Sequence, residues 1–299
     1  MSAVTVEQLD KHYADVHAVK GLDFSVGEGE LFGIIGPDGA GKTTLFRMLT
    51  TLLIPDGGRA LVQGLDTVRD YRSIRRIIGY MPGRFSLYQD LTVQENLEFF
   101  ATVFGTTVAG NYGLIRDIYE QLEPFRTRRA GKLSGGMKQK LALCCALIHE
   151  PEVLFLDEPT TGVDAVSRAE FWEMLQRLRQ RGITIVVSTP YMDEATRCER
   201  IALLQAGRIL TTDTPGNIRA AYGKPLFGVR ADAFYPLMGA LREADFVERV
   251  APFGKYLHLT SKVDLSPDII RNYLYRLGHT GIEVEPIEAS VEDVFLDLM

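Results

Sequence analysis

Gly36-Pro37-Asp38-Gly39-Ala40-Gly41-Lys42-Thr43 is the stretch on which the fold turns. It fits the pattern G-x-x-x-x-G-K-[ST] without a gap. An apolar run, Leu31–Ile35, precedes it, and a helically spaced segment follows, with Leu45, Met48, Leu49 and Leu52 on one side of 42–53. Ile54-Pro55-Asp56-Gly57-Gly58 stops that helix. Strand, glycine turn and helix in this order build an anion cradle. The glycines let the backbone turn tightly and aim N–H groups at phosphates, and the helix N-terminus adds positive partial charge. Within it Lys42 is placed to reach the outer phosphates and Thr43 to hold Mg²⁺, with Thr44 next in line. Asp38 is the odd member, since a carboxylate repels phosphate unless it points outward.

Outward from the loop, short apolar runs alternate with longer amphipathic stretches. Val153–Leu156 and Ile183–Val187 have the continuous apolar character of buried parallel strands. Residues 165–181 between them read as a crossover helix closed by Gly182. This is an α/β pattern. Residues 86–150 differ: 93–104, 114–122 and 134–148 are spaced as helices with no strand between them, which predicts a helical subdomain inserted into the α/β core. Val153–Leu156 leads into Asp157 and Glu158. Two carboxylates at the end of a buried strand are costly unless a metal or hydrogen bonds compensate them. Asp157 is the candidate Mg²⁺ ligand, and Glu158 the group that orients or deprotonates an attacking water. Leu133-Ser134-Gly135-Gly136-Met137-Lys138-Gln139 opens the last of the three helices. Ser134 is a good cap, and Gly135 and Gly136 leave backbone N–H groups uncovered, a second potential anion site.

Beyond Ala221-Tyr222-Gly223-Lys224-Pro225 the order is strand 226–230, helix 234–243, strands 246–251 and 255–260, helix 267–277, strand 282–287 and helix 290–298. That βαββαβ order with an extra helix predicts a small ferredoxin-like α+β domain. The expected division is residues 1–222 for a nucleotide-binding domain and 225–299 for an accessory domain.

Together these motifs resemble the ATP-binding-cassette (ABC) ATPase family over about residues 3–222. Gly36–Thr44 is similar to its phosphate loop, Leu133–Gln139 to its signature motif, Val153–Glu158 to its Mg²⁺ strand and Thr161–Asp164 to its dimer-contact loop. Tyr13 stands where the family stacks an aromatic ring on adenine. Leu133–Lys140 and Ser290–Leu296 more narrowly resemble the drug- and lipid-exporter branch. The resemblance implies a P-loop NTPase fold, ATP and Mg²⁺ as ligands, and ATP hydrolysis coupled to transport. It implies head-to-tail pairing with a second cassette, ATP lying between the phosphate loop of one and the signature (Ser134, Gly135, Gly136) of the other. It also implies separate integral membrane subunits, and a place on the cytoplasmic face of the cell membrane.

Two positions depart from the family. After Ile78-Gly79-Tyr80-Met81-Pro82 the family has glutamine and this chain has Gly83; after Val187-Ser188-Thr189 the family has histidine and this chain has Pro190. Proline offers neither a side-chain donor nor an N–H. Nucleotide binding is expected to survive and hydrolysis at this chain's own site to be slow. A partly degenerate site, completed by or completing a competent partner cassette, is the resulting expectation. A soluble cassette without membrane partners, or a non-hydrolysing regulatory cassette, is the alternative.

Composition narrows the field. The 299 residues are 46% hydrophobic, enough for a real core and too many for a disordered chain. Leu141–Ile148 is among the longest apolar runs, far short of the ~18 residues of a membrane span. The opening MSAVTVEQLD has no basic stretch followed by an apolar one, so no secretory signal is expected. Cys144, Cys145 and Cys198 have no metal-ligand spacing, and such sparse usage fits a reducing cytosol. His149, near the Mg²⁺ strand but at the end of the signature helix, reads as structural. The net charge is −6. Residues 225–299 carry 7 basic and 12 acidic side chains, a net of −5. That acidity opposes nucleic-acid binding.

Overall fold

A computed structural model describes residues 1–84 and 86–299. The chain divides into two compact units, Met1–Pro215 and Gly216–Met299. The first runs β1 (Ser2–Tyr13), β2 (Val16–Gly27), β3 (Leu31–Ile35), α1 (Lys42–Leu49), β4 (Gly57–Val62), β5 (Leu65–Asp66), α2 (Tyr71–Ile77) and β6 (Ile78–Met81). Then come α3 (Val93–Val103), α4 (Tyr112–Tyr119), α5 (Gly135–Leu147), β7 (Val153–Asp157), α6 (Ala165–Gln180), β8 (Thr184–Thr189), β9 (Arg200–Gln205) and β10 (Arg208–Asp213).

Two sheets form this unit. The larger has the order β10-β9-β3-β8-β7-β6. Its members β9, β3, β8, β7 and β6 are parallel to their neighbours, and β10 pairs antiparallel with β9. Every residue of β3, β7 and β8 is buried, including the polar Asp157, Thr184, Ser188 and Thr189 at the strand ends, around the apolar runs expected of central parallel strands. The smaller sheet, β2-β1-β4-β5, is antiparallel. Its core-facing residues, among them Val4, Val6, Leu22 and Val26, join the cluster that contains Phe32, Ile34, Phe46 and Phe155. Phe46 of α1 meets Phe155 of β7 edge-on, with ring centroids 6.1 Å apart. Burying a side chain of this size contributes about 1.5–3 kcal/mol. The contact ties the helix behind the glycine loop to the strand that ends in the acidic pair.

The three expected helices of 86–150 are present as α3, α4 and α5, with no strand between them. A reciprocal cap starts α3: Thr92 Oγ1 accepts from Glu95 N, and Thr92 N donates to Glu95 Oε2. Ser134 caps α5 by accepting from Met137 N at 3.3 Å. His149 packs face to face with Phe104, ring centroids 3.7 Å apart, and its Nε2 lies 2.8 Å from Ile78 O, a structural placement. Burial lowers its basicity. All three cysteines are buried with thiol pKa values pushed up by desolvation.

The sequence-based limits shift in two places. The helix expected over 42–53 ends at Leu49, because Thr51 takes a left-handed φ of 62° that no helix accommodates. The division between units falls at Pro215, ahead of 222–225. Tyr222 is a buried residue of the second unit, its hydroxyl 2.7 Å from Thr260 Oγ1.

The second unit follows a short helix, α7 (Pro215–Ala220), that spans the boundary. It contains β11 (Leu226–Arg230), α8 (Phe234–Arg242), β12 (Val247–Phe253), β13 (Tyr256–Ser261), α9 (Pro267–Arg276), β14 (Glu283–Pro286) and α10 (Val291–Leu298). The sheet order is β12-β13-β11-β14 with all pairs antiparallel. Each helix-linked pair, β11 with β12 and β13 with β14, is therefore parallel with another strand between its members. This is the split βαβ arrangement of ferredoxin-like domains. Its core joins Phe227, Val229, Leu237, Leu241, Leu257, Leu259, Ile270 and Leu274.

Candidate nucleotide site

The parallel strands β3, β8 and β7 are adjacent, and the candidate residues leave their C-terminal ends, where open α/β sheets bind ligands. Gly36 follows β3 and sits so close to β9 that a Cβ there would lie 2.1 Å from Leu204 O. Only glycine fits. Gly41 has φ +107°, and a Cβ there would lie 2.5 Å from Ala18 O. Leu45 N donates back to Gly41 O at 3.0 Å, so the loop passes straight into α1. Asp38 is exposed, which keeps its charge out of the cradle.

Lys42 is 3% exposed. Its ammonium donates to Gly36 O at 2.8 Å and Pro37 O at 2.9 Å, and pairs with Glu158 Oε1 at 3.0 Å. A buried cation with this set of oxygens is stabilised by them and still strongly favours an anionic ligand. Glu158 leaves β7 with a left-handed φ of 50°. Its backbone N–H lies 3.0 Å from Ser188 Oγ and 3.1 Å from Ser188 O, contacts that hold the strained conformation.

Asp157 is 1% exposed. Ser188 Oγ donates to its Oδ1 at 2.7 Å, because β7 and β8 pair Asp157 directly with Ser188. Burial pushes the Asp157 carboxyl above its ordinary value. Hydrogen bonds with Ser188 and Thr43 oppose that push, and the neighbouring Glu158 charge adds to it. A buried carboxylate short of compensation, beside the hydroxyl of Thr43, is a donor set of oxygens suited to a hard dication such as Mg²⁺.

Tyr13, Val16, His17, Ala18, Lys20, Gly39, Gly41, Lys42, Thr43, Thr44, Glu158, Ala206 and Gly207 line one cavity of about 490 Å³. It gathers Tyr13, the phosphate loop and Glu158 from three separate parts of the sequence. Ser134, Gly135 and Gly136 are outside it. They form the start of α5, where a Cβ on Gly136 would lie 2.6 Å from Ser167 Oγ, and Ser134 and Gly135 are exposed. The two motifs of one chain thus do not share a cavity. Sequence reasoning missed Ser188, Lys20 and the Ala206-Gly207 turn. A Ser-Thr pair closing a strand with an apolar centre was the available signal for Ser188. The Ala206-Gly207 turn is tied to the loop by a hydrogen bond from Gly207 N to Ala40 O at 2.9 Å.

Gly83 and Pro190 both border this centre. A Cβ on Gly83 would lie 3.0 Å from Asp157 O and 3.7 Å from Glu158 Cβ. Thr189, just before Pro190, accepts a hydrogen bond from Gly36 N through its carbonyl at 3.2 Å.

A glycine loop opening a helix, a buried lysine, and an aspartate–glutamate pair at the end of β7, with β8 between it and β3, define a P-loop nucleotide-binding protein. Residues 19–161 match the family model described as ABC transporter. The chain is 38% identical over 304 residues to the probable multidrug ABC transporter ATP-binding protein YbhF of Escherichia coli (strain K12), covering 100% of this chain and 52% of that protein. It thus spans about half the length of that relative. It is 37% identical over 311 residues to the daunorubicin resistance ATP-binding protein DrrA2 of Streptomyces coeruleorubidus, covering 99% of this chain and 94% of the relative. A similar match, 37% over 300 residues with 99% and 96% covered, is to the Nod factor export ATP-binding protein I of Rhizobium sp. (strain N33). Among solved structures, cbiO1 of Clostridium perfringens, part of the ABC transporter complex cbiONQ, superposes with a TM-score of 0.66 at 27% identity, covering 74% of this chain and 91% of that one. The dimeric cassette MJ0796, in a post-hydrolysis state bound to ADP and Pi, gives 0.64 at 26% identity, covering 71% and 98%. The chain belongs to the ABC transporter family.

Proposed function

We propose that this chain is the ATP-binding subunit of an exporter. In this reading it pairs with a second cassette and drives separate integral membrane subunits from the cytoplasmic side. The observation that carries it is the convergence of Lys42, Asp157 and Glu158 around the glycine loop at the C-terminal end of the β3-β8-β7 layer. The name of the Nod factor export ATP-binding protein I supports export as the direction of transport. Among the described residues no helix is long and apolar enough to cross a membrane, which fits a membrane part carried elsewhere.

The residues divide the work. Backbone N–H groups of 39–44 and the Lys42 ammonium receive the phosphates. Tyr13, at the rim of the same cavity, offers its ring to the base. Thr43 and Asp157 would hold Mg²⁺, which when bound neutralises phosphate charge as a Lewis acid. Glu158 accepts a proton from water or orients it. The exposed start of α5, outside this cavity, is free to meet the phosphates of a partner's site.

Hydrolysis at this chain's own site is slow in this proposal. Gly83 contributes no side chain beside Asp157, and Pro190 contributes no donor beside the loop. Losing one preorganised donor costs on the order of 10²–10³ in rate, and two such losses need not add. Phosphate release by the purified chain with saturating Mg-ATP tests this, with Glu158→Gln as background. The expected result is nucleotide binding with turnover near that background, and a gain on the order of 10²-fold in Pro190→His. Wild-type turnover that Glu158→Gln abolishes refutes the degenerate site. No nucleotide binding at all refutes the wider reading.

A further inference from the structure

Asp10 and His12 stand two apart on β1, and His17 on β2 is the direct cross-strand partner of His12. This pairing brings three side chains to one point. His12 Nε2 lies 2.9 Å from Asp10 Oδ1, and His17 Nε2 lies 2.7 Å from Asp10 Oδ2. The two imidazoles stack with centroids 3.8 Å apart. One donor atom from each of the three residues falls within 4.8 Å of the others. The side chains of Asp10, His12 and His17 are 26%, 51% and 35% exposed, so solutes reach them.

The backbone under the cluster is fixed from a different element. Asp56 N donates to Asp10 O at 2.9 Å, and His12 N donates to Asp56 Oδ2 at 2.7 Å. Lys11, the one cation within the segment 10–17, is turned to Asp56 Oδ1 at 2.7 Å. Its charge is thereby partly neutralised.

We propose that Asp10, His12 and His17 form a binding site for a borderline transition-metal dication of the zinc type. Two imidazoles and one carboxylate within this span match a tetrahedral zinc site with its fourth position left to water. Imidazole donors select against the hard, oxygen-seeking Mg²⁺, so this site is chemically distinct from Thr43 and Asp157. Metal entry replaces two hydrogen bonds to Asp10 with two Nε2 lone pairs, and each ring keeps a proton on Nδ1. The site clips together the ends of β1 and β2. The turn it closes carries Tyr13 and Val16 at the rim of the nucleotide cavity.

The test is titration of the purified chain with cobalt(II) chloride, followed by zinc chloride as competitor. Visible absorbance reports the cobalt site, and NMR of ¹⁵N-labelled histidine reports which rings respond. The expected result is one equivalent of metal per chain, with His12 and His17 shifting and His149, His258 and His279 unmoved. His17→Gln and, separately, Asp10→Asn each weaken binding by at least about tenfold. Both positions are partly exposed, and either variant alone decides the matter if the other folds poorly. Absence of binding at micromolar metal, a shift confined to other histidines, or unchanged affinity in both variants overturns the proposal.

Discussion

Two carboxylates in this chain are nearly equally hidden and behave in opposite ways. Asp157, in the first unit, is 1% exposed, and Asp293, in the second, is 4% exposed. Burial pushes both upward. At Asp157 burial prevails and the carboxyl stays above its ordinary value. At Asp293 burial is the largest single influence, yet His258, Ser290 Oγ and Ser290 N–H together outweigh it and hold the carboxyl below its ordinary value. The partners explain the difference. Asp293 Oδ1 lies 2.8 Å from His258 Nδ1, while Oδ2 accepts from Ser290 N at 2.8 Å and Ser290 Oγ at 2.6 Å. Asp157 has the hydroxyls of Ser188 and Thr43 and the nearby Lys42 charge on one side, and the like charge of Glu158 on the other, and burial still prevails. A carboxylate fully satisfied by its own fold is a structural part. One left short of compensation at the end of a strand is poised for a ligand that brings positive charge.

The largest expected effect breaks or sustains this contrast on the ligand side. Asp157→Asn should remove the magnesium dependence of ATP affinity, measured by calorimetry with and without the ion. Turnover of the assembled transporter should change little, because hydrolysis at this chain's own site is already slow and the partner cassette carries it. The folded chain without ligand should keep or slightly gain stability, because the substitution removes an ill-compensated buried charge and retains a partner for Ser188. Unaltered magnesium dependence would move the metal off this strand.

Next in size is Asp293→Ala. It strips acceptors from His258 and from the first turn of α10, so it should destabilise the second unit by about 1–3 kcal/mol. Urea unfolding followed by NMR of backbone amides assigned to the second unit measures this. Trp172, the single tryptophan, reports on the first unit only, where it is buried in α6, and should not move. Equal losses from Asp157→Asn and Asp293→Ala would erase the distinction between poised and structural carboxylates.

How much of this was legible beforehand depends on whether a feature is local. The phosphate loop, the Ser134 cap and the Asp157–Glu158 pair are contiguous, and each reads from its own few residues. The βαββαβ order of 226–298 was legible because its strands and helices carry clean periodicity and Gly or Pro breaks. The small antiparallel sheet was not. β1 and β2 pair through repeated register shifts, and Gln8 takes a left-handed φ of 46°, so simple alternation is broken. Lys42 facing Glu158, Ser188 holding Asp157, and His17 opposite His12 are products of strand order and register. No window of sequence contains both members of the first two pairs. The stop of α1 at Leu49 turns on one backbone angle at Thr51, which a helical spacing that includes Leu52 conceals.

The smallest effect is the acid response of the Asp293 network, and its sign follows from the same comparison. The folded chain holds the Asp293 carboxyl below the value it has when unfolded, near 3.8. The unfolded chain therefore takes up the proton first as pH falls. The stability contributed by this carboxylate is full above the unfolded value and is lost as pH falls through the folded one. Wild type should accordingly hold its full advantage over Asp293→Asn at pH 6, and the advantage should shrink below about pH 4. The mirror experiment on Asp157 has the opposite sign. There the folded carboxyl is raised, so its cost is present at neutral pH and is relieved as pH falls through the folded value. Asp157→Asn should thus show its small stability gain at pH 7 and lose it on acidification. Urea midpoints of the three proteins between pH 3 and pH 7 decide the matter: two difference curves that fade in acid from opposite sides uphold the contrast, and curves on the same side end it.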